Sequence, residues 1–185
     1  GGWPLVNVMQ TTIAEVLIIE PVVRRDARGF FVEVWHEERY RSAGMDLPFV
    51  QDNHSRSSHG TLRGLHYQVR QPQGKLVRVA MGEVFDVAVD LRRSSPTFGR
   101  WVGAVLSGEN HRQLWVPPGF AHGFCVTSES ADLLYKCTDL YAPEFDRTLR
   151  WDDPDIGITW PLDGAPVLSP KDEAGLALGD ADTYP

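Results

Sequence analysis

Hydrophobic and polar positions alternate most clearly over residues 75–91, where Leu76, Val77, Val79, Val84, Phe85, Val87 and Val89 are apolar and Gly82-Glu83 interrupts the run. A period of two puts successive side chains on opposite faces of a strand, and the glycine-containing break reads as a hairpin turn. The same pattern predicts strands over residues 16–23, 30–35, 49–55, 101–106, 113–116, 123–127 and 133–139. Short helices are expected at 37–43 and 171–178. Regular short strands separated by turns imply a β-sandwich or barrel. No repeat, low-complexity tract or linker divides the chain, so residues 1–185 are expected to form one domain.

Composition agrees with this picture. The 185 residues include 17 Gly and 13 Pro, consistent with many turns, and 42% hydrophobic residues are enough for a substantial core. A net charge of −7 argues against non-specific nucleic-acid binding, although a local arginine cluster can still hold an anionic ligand. No apolar run approaches the roughly 18 residues of a membrane span. Residues 16–23 are broken by Glu20 and Pro21 and lack the layout of a signal peptide, so the expected location is the cytoplasm. Cys125 and Cys137 have no metal or redox spacing and are expected to be core thiols. Residues 1–12 read as an N-terminal extension, and Gly1-Gly2-Trp3-Pro4 carries no weight in the argument.

Two stretches narrow the fold. Gly60-Thr-Leu-Arg-Gly-Leu-His66-Tyr-Gln68 resembles the first cupin motif, and Pro117-Pro-Gly119-Phe-Ala-His122 resembles the second. The resemblance implies a mainly β, cupin-type jelly-roll β-barrel with a few short helices. Metal-binding cupins place three His and one Glu around a divalent ion. Here Gln68 stands at the second His position and no Glu follows nearby, leaving only His66 and His122. Catalytic zinc or iron normally needs three protein ligands, so no metal is expected.

Neither a Gly-x-Ser-x-Gly motif nor a reactive-cysteine motif is present, and no glycine loop suited to phosphates or dinucleotides. A cavity lined by His66, Arg63, Lys75, His122 and Tyr135 would hold acid–base equipment, suited to abstracting a proton beside a carbonyl and stabilising the enolate.

Several blocks then make the resemblance specific. Val50-Gln-Asp-Asn-His-Ser55, Leu62-Arg-Gly-Leu-His-Tyr-Gln68, Gly74-Lys-Leu-Val-Arg78 and Gly82-Glu-Val-Phe-Asp-Val-Ala-Val-Asp90 resemble the dTDP-4-dehydrorhamnose 3,5-epimerase family. So do Ser95-Pro-Thr-Phe-Gly99, Gln113-Leu-Trp115, Pro118-Gly-Phe-Ala-His-Gly-Phe124, Leu134-Tyr-Lys136, Tyr141-Ala-Pro-Glu144 and Arg150-Trp-Asp-Asp-Pro-Asp-Ile-Gly157, in order from about residue 13 to the end.

The resemblance implies an isomerase that inverts C3 and C5 of dTDP-4-dehydro-6-deoxy-D-glucose with no cofactor, serving dTDP-L-rhamnose synthesis. It casts His66 as the base, Asp172 as its orienting carboxylate, Lys75 as the group that stabilises the enolate and Tyr135 as the acid on the opposite face. The same match casts Arg28, Glu33, Gln51, Asn53, Arg63, His122, Asp146 and Lys171 as substrate contacts, and Tyr141 as the aromatic that stacks on the thymine ring. Asp146 stands where the family usually has Glu. A homodimer with exchanged N-terminal strands, and a neighbour's residues entering the site, is also implied, with no nucleic-acid or membrane partner.

Other residues have plainer readings. His36, His54, His59 and His111 are expected to be structural, Trp101, Trp115, Trp151 and Trp160 to lie in the core or an interface, and Asp152, Asp153 and Asp155 to form a turn around Pro154. Three rivals make different predictions. An epimerase acting at one carbon exchanges deuterium at one position only, a metal-dependent cupin loses activity with chelator, and a non-catalytic sugar-nucleotide binder is indifferent to His66→Ala.

Overall fold

In the computed structural model, which describes residues 6–185, strands β1 (Asn7–Gln10), β2 (Leu17–Glu20), β10 (Gln113–Val116), β7 (Lys75–Met81), β12 (Ser130–Cys137) and β5 (Gln51–Ser58) form a six-stranded sheet in that order. Strands β13 (Asp146–Thr148), β6 (Leu62–Gln68), β11 (Phe120–Val126), β8 (Glu83–Asp90) and β9 (Trp101–Ser107) form a five-stranded sheet. Every pairing within them is antiparallel. A separate hairpin joins β3 (Val23–Asp26) to β4 (Gly29–Val32). Gly1-Gly2-Trp3-Pro4 and Leu5, part of the expected N-terminal extension, lie outside the described residues.

Alternation builds the core between the sheets. Val77 and Val79 of β7, Leu114 and Val116 of β10 and Leu133 of β12 meet Val84 and Ala88 of β8, Leu106 of β9 and Phe124 of β11. Burying each such Val or Leu contributes roughly 1.5–3 kcal/mol. The outer face of the six-stranded sheet is partly covered by helix α1 (Glu37–Ser42), whose Tyr40 packs with Trp115 and donates its hydroxyl to Gln113 Oε1 at 2.8 Å. The chain beyond residue 149 covers the outer face of the five-stranded sheet through Ile156, Trp160, Leu178 and Tyr184. The architecture is a jelly-roll β-barrel of the cupin type.

The strands predicted over 75–91 and 113–116 form with the break at Gly82. The single strand expected over 16–23 divides in two, because Pro21 has no N–H to give a ladder. The helix expected over 171–178 is only one turn, α2 (Pro170–Glu173). It stops because the backbone at Leu176 bonds across to Thr148 and Arg150, and a Cβ at Gly175 would lie 2.7 Å from Arg150 N. Cys125 and Cys137 are buried free thiols. Asp153 is buried in its turn, accepting from the Asp155 N–H at 2.9 Å and the Leu178 N–H at 2.6 Å.

Candidate active site

One end of the barrel opens between the two sheets into a cavity of about 320 Å³, lined by Gln51, Asn53, His66, Tyr67, Gln73, Lys75, Tyr135, Tyr141, Asp146 and Lys171. His66 reaches it from β6 of the five-stranded sheet, while Lys75 and Tyr135 reach it from β7 and β12 of the other. A bulge in β6 sets the aim of His66: between His66↔His122 and Arg63↔Phe124 the strand β6 advances one residue more than β11. Gly64 occupies the bulge at φ +120°, where a Cβ would meet His122 O and Gly123 Cα at 2.7 Å. Only glycine fits so close an approach.

His66 Nε2 lies 2.5 Å from Asp172 Oδ1, and Gly64 N–H donates to Asp172 Oδ2 at 3.3 Å. Asp172 sits in α2, where the side chain of Ser169 accepts from its N–H at 3.2 Å. Burial favours an uncharged Asp172, but the bond and charge of His66 outweigh it and hold the carboxyl below its usual range. Burial is also the largest influence on His66 and lowers its basicity, against the opposing pull of Asp172 and with help from the charges of Lys75 and Lys171. The pair therefore rests as a carboxylate and a neutral imidazole. With Nε2–H donating to the carboxylate, the lone pair is on Nδ1.

Lys75 is 7% exposed, and its Nζ stands 5.7 Å from the centre of the Tyr135 ring. Burial pulls its ammonium down, while Cys137, Asp146 and Asp86 push it back up. Burial pushes the Tyr135 phenol up, and Asn53 and Arg63 ease that shift. The site thus holds a neutral base, a buried lysine and a protonated phenol, the set needed to form and quench an enolate.

At the mouth, Lys171 Nζ donates to Asp146 Oδ2, and Tyr141 OH donates to the same oxygen at 3.2 Å. The shorter Asp146 still joins two lining residues. Arg63 is exposed, bonds Ser57 Oγ at 2.9 Å and is not among the residues lining the cavity. His122 lies beneath the site, beside His66 across the strands, with its ring 6.2 Å from that of Tyr135. Arg28 and Glu33 are not brought in: Arg28 pairs with Asp26 at 2.6 Å on the exposed hairpin, and Glu33 pairs with Arg39. His54 pairs with Asp132, and His59 Nδ1 meets Ser128 O, away from the cavity.

Tyr67 and Gln73 line the cavity without having been singled out by sequence. Asp86 was also missed: it is fully buried, 2.8 Å from His122 Nε2, with its other oxygen lacking a partner among the described residues. An acid at an inward position between Val84 and Ala88 was the available signal. Among the described residues no three His, Cys, Asp or Glu side chains converge as a metal site.

Known proteins are similar to this chain in sequence and in fold. The family model for dTDP-4-dehydrorhamnose 3,5-epimerase matches residues 10–180. A protein of that name from Pseudomonas aeruginosa is 60% identical over 174 residues, spanning 94% of this chain and 96% of the relative. A crystal structure of dTDP-6-deoxy-D-glucose-3,5-epimerase from Legionella pneumophila, in complex with dTDP-4-keto-L-rhamnose, superposes with a TM-score of 0.94 at 56% identity, covering 96% of this chain and 95% of that one. ChmJ from Streptomyces bikiniensis, a 3'-monoepimerase in complex with dTDP-quinovose, gives 0.86 at 36% identity over 92% and 87% of the two chains. With its barrel, cavity and matched length, the chain belongs to the dTDP-4-dehydrorhamnose 3,5-epimerase family.

Proposed function

We propose that this chain converts dTDP-4-dehydro-6-deoxy-D-glucose to dTDP-4-dehydro-L-rhamnose, inverting C3 and C5 with side chains alone. One observation carries the mechanism: His66 and Tyr135 face the same cavity from opposite sheets. A sugar ring lying between them has its base on one face and its acid on the other, which is what inversion requires. The bound ligand of the Legionella relative supports the substrate class.

His66 Nδ1 takes the proton from a carbon next to the C4 ketone, and the C–H electron pair moves to the C4 oxygen as an enolate. Lys75 stabilises that charge, and Asp172 stabilises the imidazolium. Tyr135 returns a proton to the carbon from the other face, and exchange with water resets both groups before the second carbon reacts. Gln51, Asn53, Asp146 and Lys171, which line the cavity, are assigned to the sugar and diphosphate and Tyr141 to the thymine ring; the family resemblance alone adds Arg63 and His122, which do not line it.

We infer a homodimer in which hairpin β3–β4 and the residue that follows it supply Arg28 and Glu33 to the neighbouring site. Two features support this. Phe30 and Phe31 on the hairpin are 56% and 62% exposed. The outer face of the six-stranded sheet also carries an open groove of about 370 Å³ lined in part by Val34, Leu76, Arg78 and Leu134. No helix among the described residues is long and apolar enough to cross a membrane, and the cytoplasm is the compartment we assign.

The test is turnover in deuterated water followed by NMR of the product. Deuterium at both C3 and C5 is expected, and label at one carbon alone would rule out the double inversion. Tyr135→Phe should still exchange substrate protons through His66 but form inverted product about 10²–10⁴-fold more slowly.

A further inference from the structure

Gln68 stands where a metal-binding cupin would carry its second histidine, yet its side chain is turned to the backbone. It is 1% exposed. Its Oε1 accepts from the buried Ala142 N–H at 2.8 Å, and its Nε2 donates to Leu140 O at 3.2 Å and to Gln71 O at 2.8 Å. The bonds to residues 140 and 142 bracket Tyr141, whose own N–H donates to Gln51 Oε1 at 2.9 Å. This segment lies in neither strand nor helix. Two glutamine side chains, one from β6 and one from β5, therefore give its backbone the partners that a ladder would otherwise supply. The residue so held is an aromatic 53% exposed at the cavity mouth, with its hydroxyl anchored to Asp146.

We propose that Gln68 is a positioning residue for the nucleotide, holding the 140–142 segment so that Tyr141 is a fixed stacking platform for the nucleobase. This rests on the reading that Tyr141 stacks on the thymine ring. A ring fixed before binding loses less freedom when the base arrives, so the clamp acts on affinity and not on proton transfer. The amide is suited to this task because it offers a donor and an acceptor at once. A histidine ligating a metal would leave the loop without those bonds.

The experiment measures dTDP binding by calorimetry and steady-state kinetics for wild type, Gln68→Met, Tyr141→Ala and the double variant. Gln68→Met conserves length but offers neither bond. It should weaken dTDP about tenfold and raise KM similarly, with kcat within about twofold. On the Tyr141→Ala background it should add less than about twofold, because the two changes act through one platform. Should Gln68→Met fail to fold, Gln68→Glu decides, since it keeps the acceptor for Ala142 N–H but has no amide donor for Leu140 O; a loss smaller than that of Tyr141→Ala is expected. Tight dTDP binding in the Gln68 variants alongside a weakened Tyr141→Ala overturns the clamp alone. Unchanged binding in Tyr141→Ala overturns both the stacking reading and the clamp. Additive losses in the double variant also sink the proposal.

Discussion

An imidazole serves as a base near neutral pH only when its lone pair is free and its basicity lies close to that of the medium. His66 meets both conditions because burial lowers its pKa while Asp172 limits the fall. Activity should therefore rise with pH along an acid limb whose midpoint lies below 6.5. Asp172→Asn removes an influence that raises the His66 pKa, so the acid limb should move to lower pH while the plateau falls about 10²–10⁴-fold. A pH profile of kcat/KM checks this, and a limb displaced upward would contradict it. At this scale much was legible in the sequence: His66, Lys75 and Tyr135 sit in motifs whose chemistry is recognisable. The bond from His66 to Asp172 was not legible from spacing, because 106 residues separate them. Asp86 is hidden by its apolar strand, because the alternation marks the strand through its hydrophobic members and not through the acid among them.

Short elements with specific ends hold these residues. The turn after β8 is an example: Asp90 accepts from Arg92 Nε at 2.9 Å, Ser95 Oγ at 2.7 Å and Thr97 Oγ1 at 2.6 Å. Burial alone would raise the Asp90 carboxyl, but these bonds outweigh it and bring it to about 2. A carboxylate whose folded pKa is depressed stabilises the fold above its unfolded value near 3.8, and that contribution disappears as pH falls toward 2. Asp90→Asn should therefore cost about 2 kcal/mol at neutral pH. Urea unfolding at pH 7 and pH 3 should show the gap to wild type narrowing in acid; a gap constant across that range would reject the linkage. Strands such as β7, β8 and β10 are readable because their apolar residues are buried between turns, whereas the end of α2 is not, because nothing local announces that Leu176 pairs with Thr148.

For the molecule as a whole, the two-sheet construction separates the base from the acid, and the hairpin that carries Arg28 and is followed by Glu33 belongs to neither sheet. Resemblance marked those two as substrate contacts, but sequence gave no distance, and their own cavity lies elsewhere. On the proposed dimer, Arg28→Ala and His66→Ala chains each lose activity, yet mixing and reassociating them should restore part of it. One site of each heterodimer then combines an intact His66 with an intact Arg28 from the neighbour. Absence of any recovery in a mixture shown to contain heterodimers would place Arg28 in its own chain's site or outside catalysis.

The position of Asp172 has a consequence for the life of the chain. The strands that enclose the cavity are complete by Thr148, but the carboxylate that tunes the base arrives only with the one-turn helix beginning at Pro170. A chain broken off before Ser169 would lose both the partner that selects the tautomer of the histidine and the Leu178 and Tyr184 side chains that cover the five-stranded sheet. Competence for proton transfer is thereby tied to an intact distal segment.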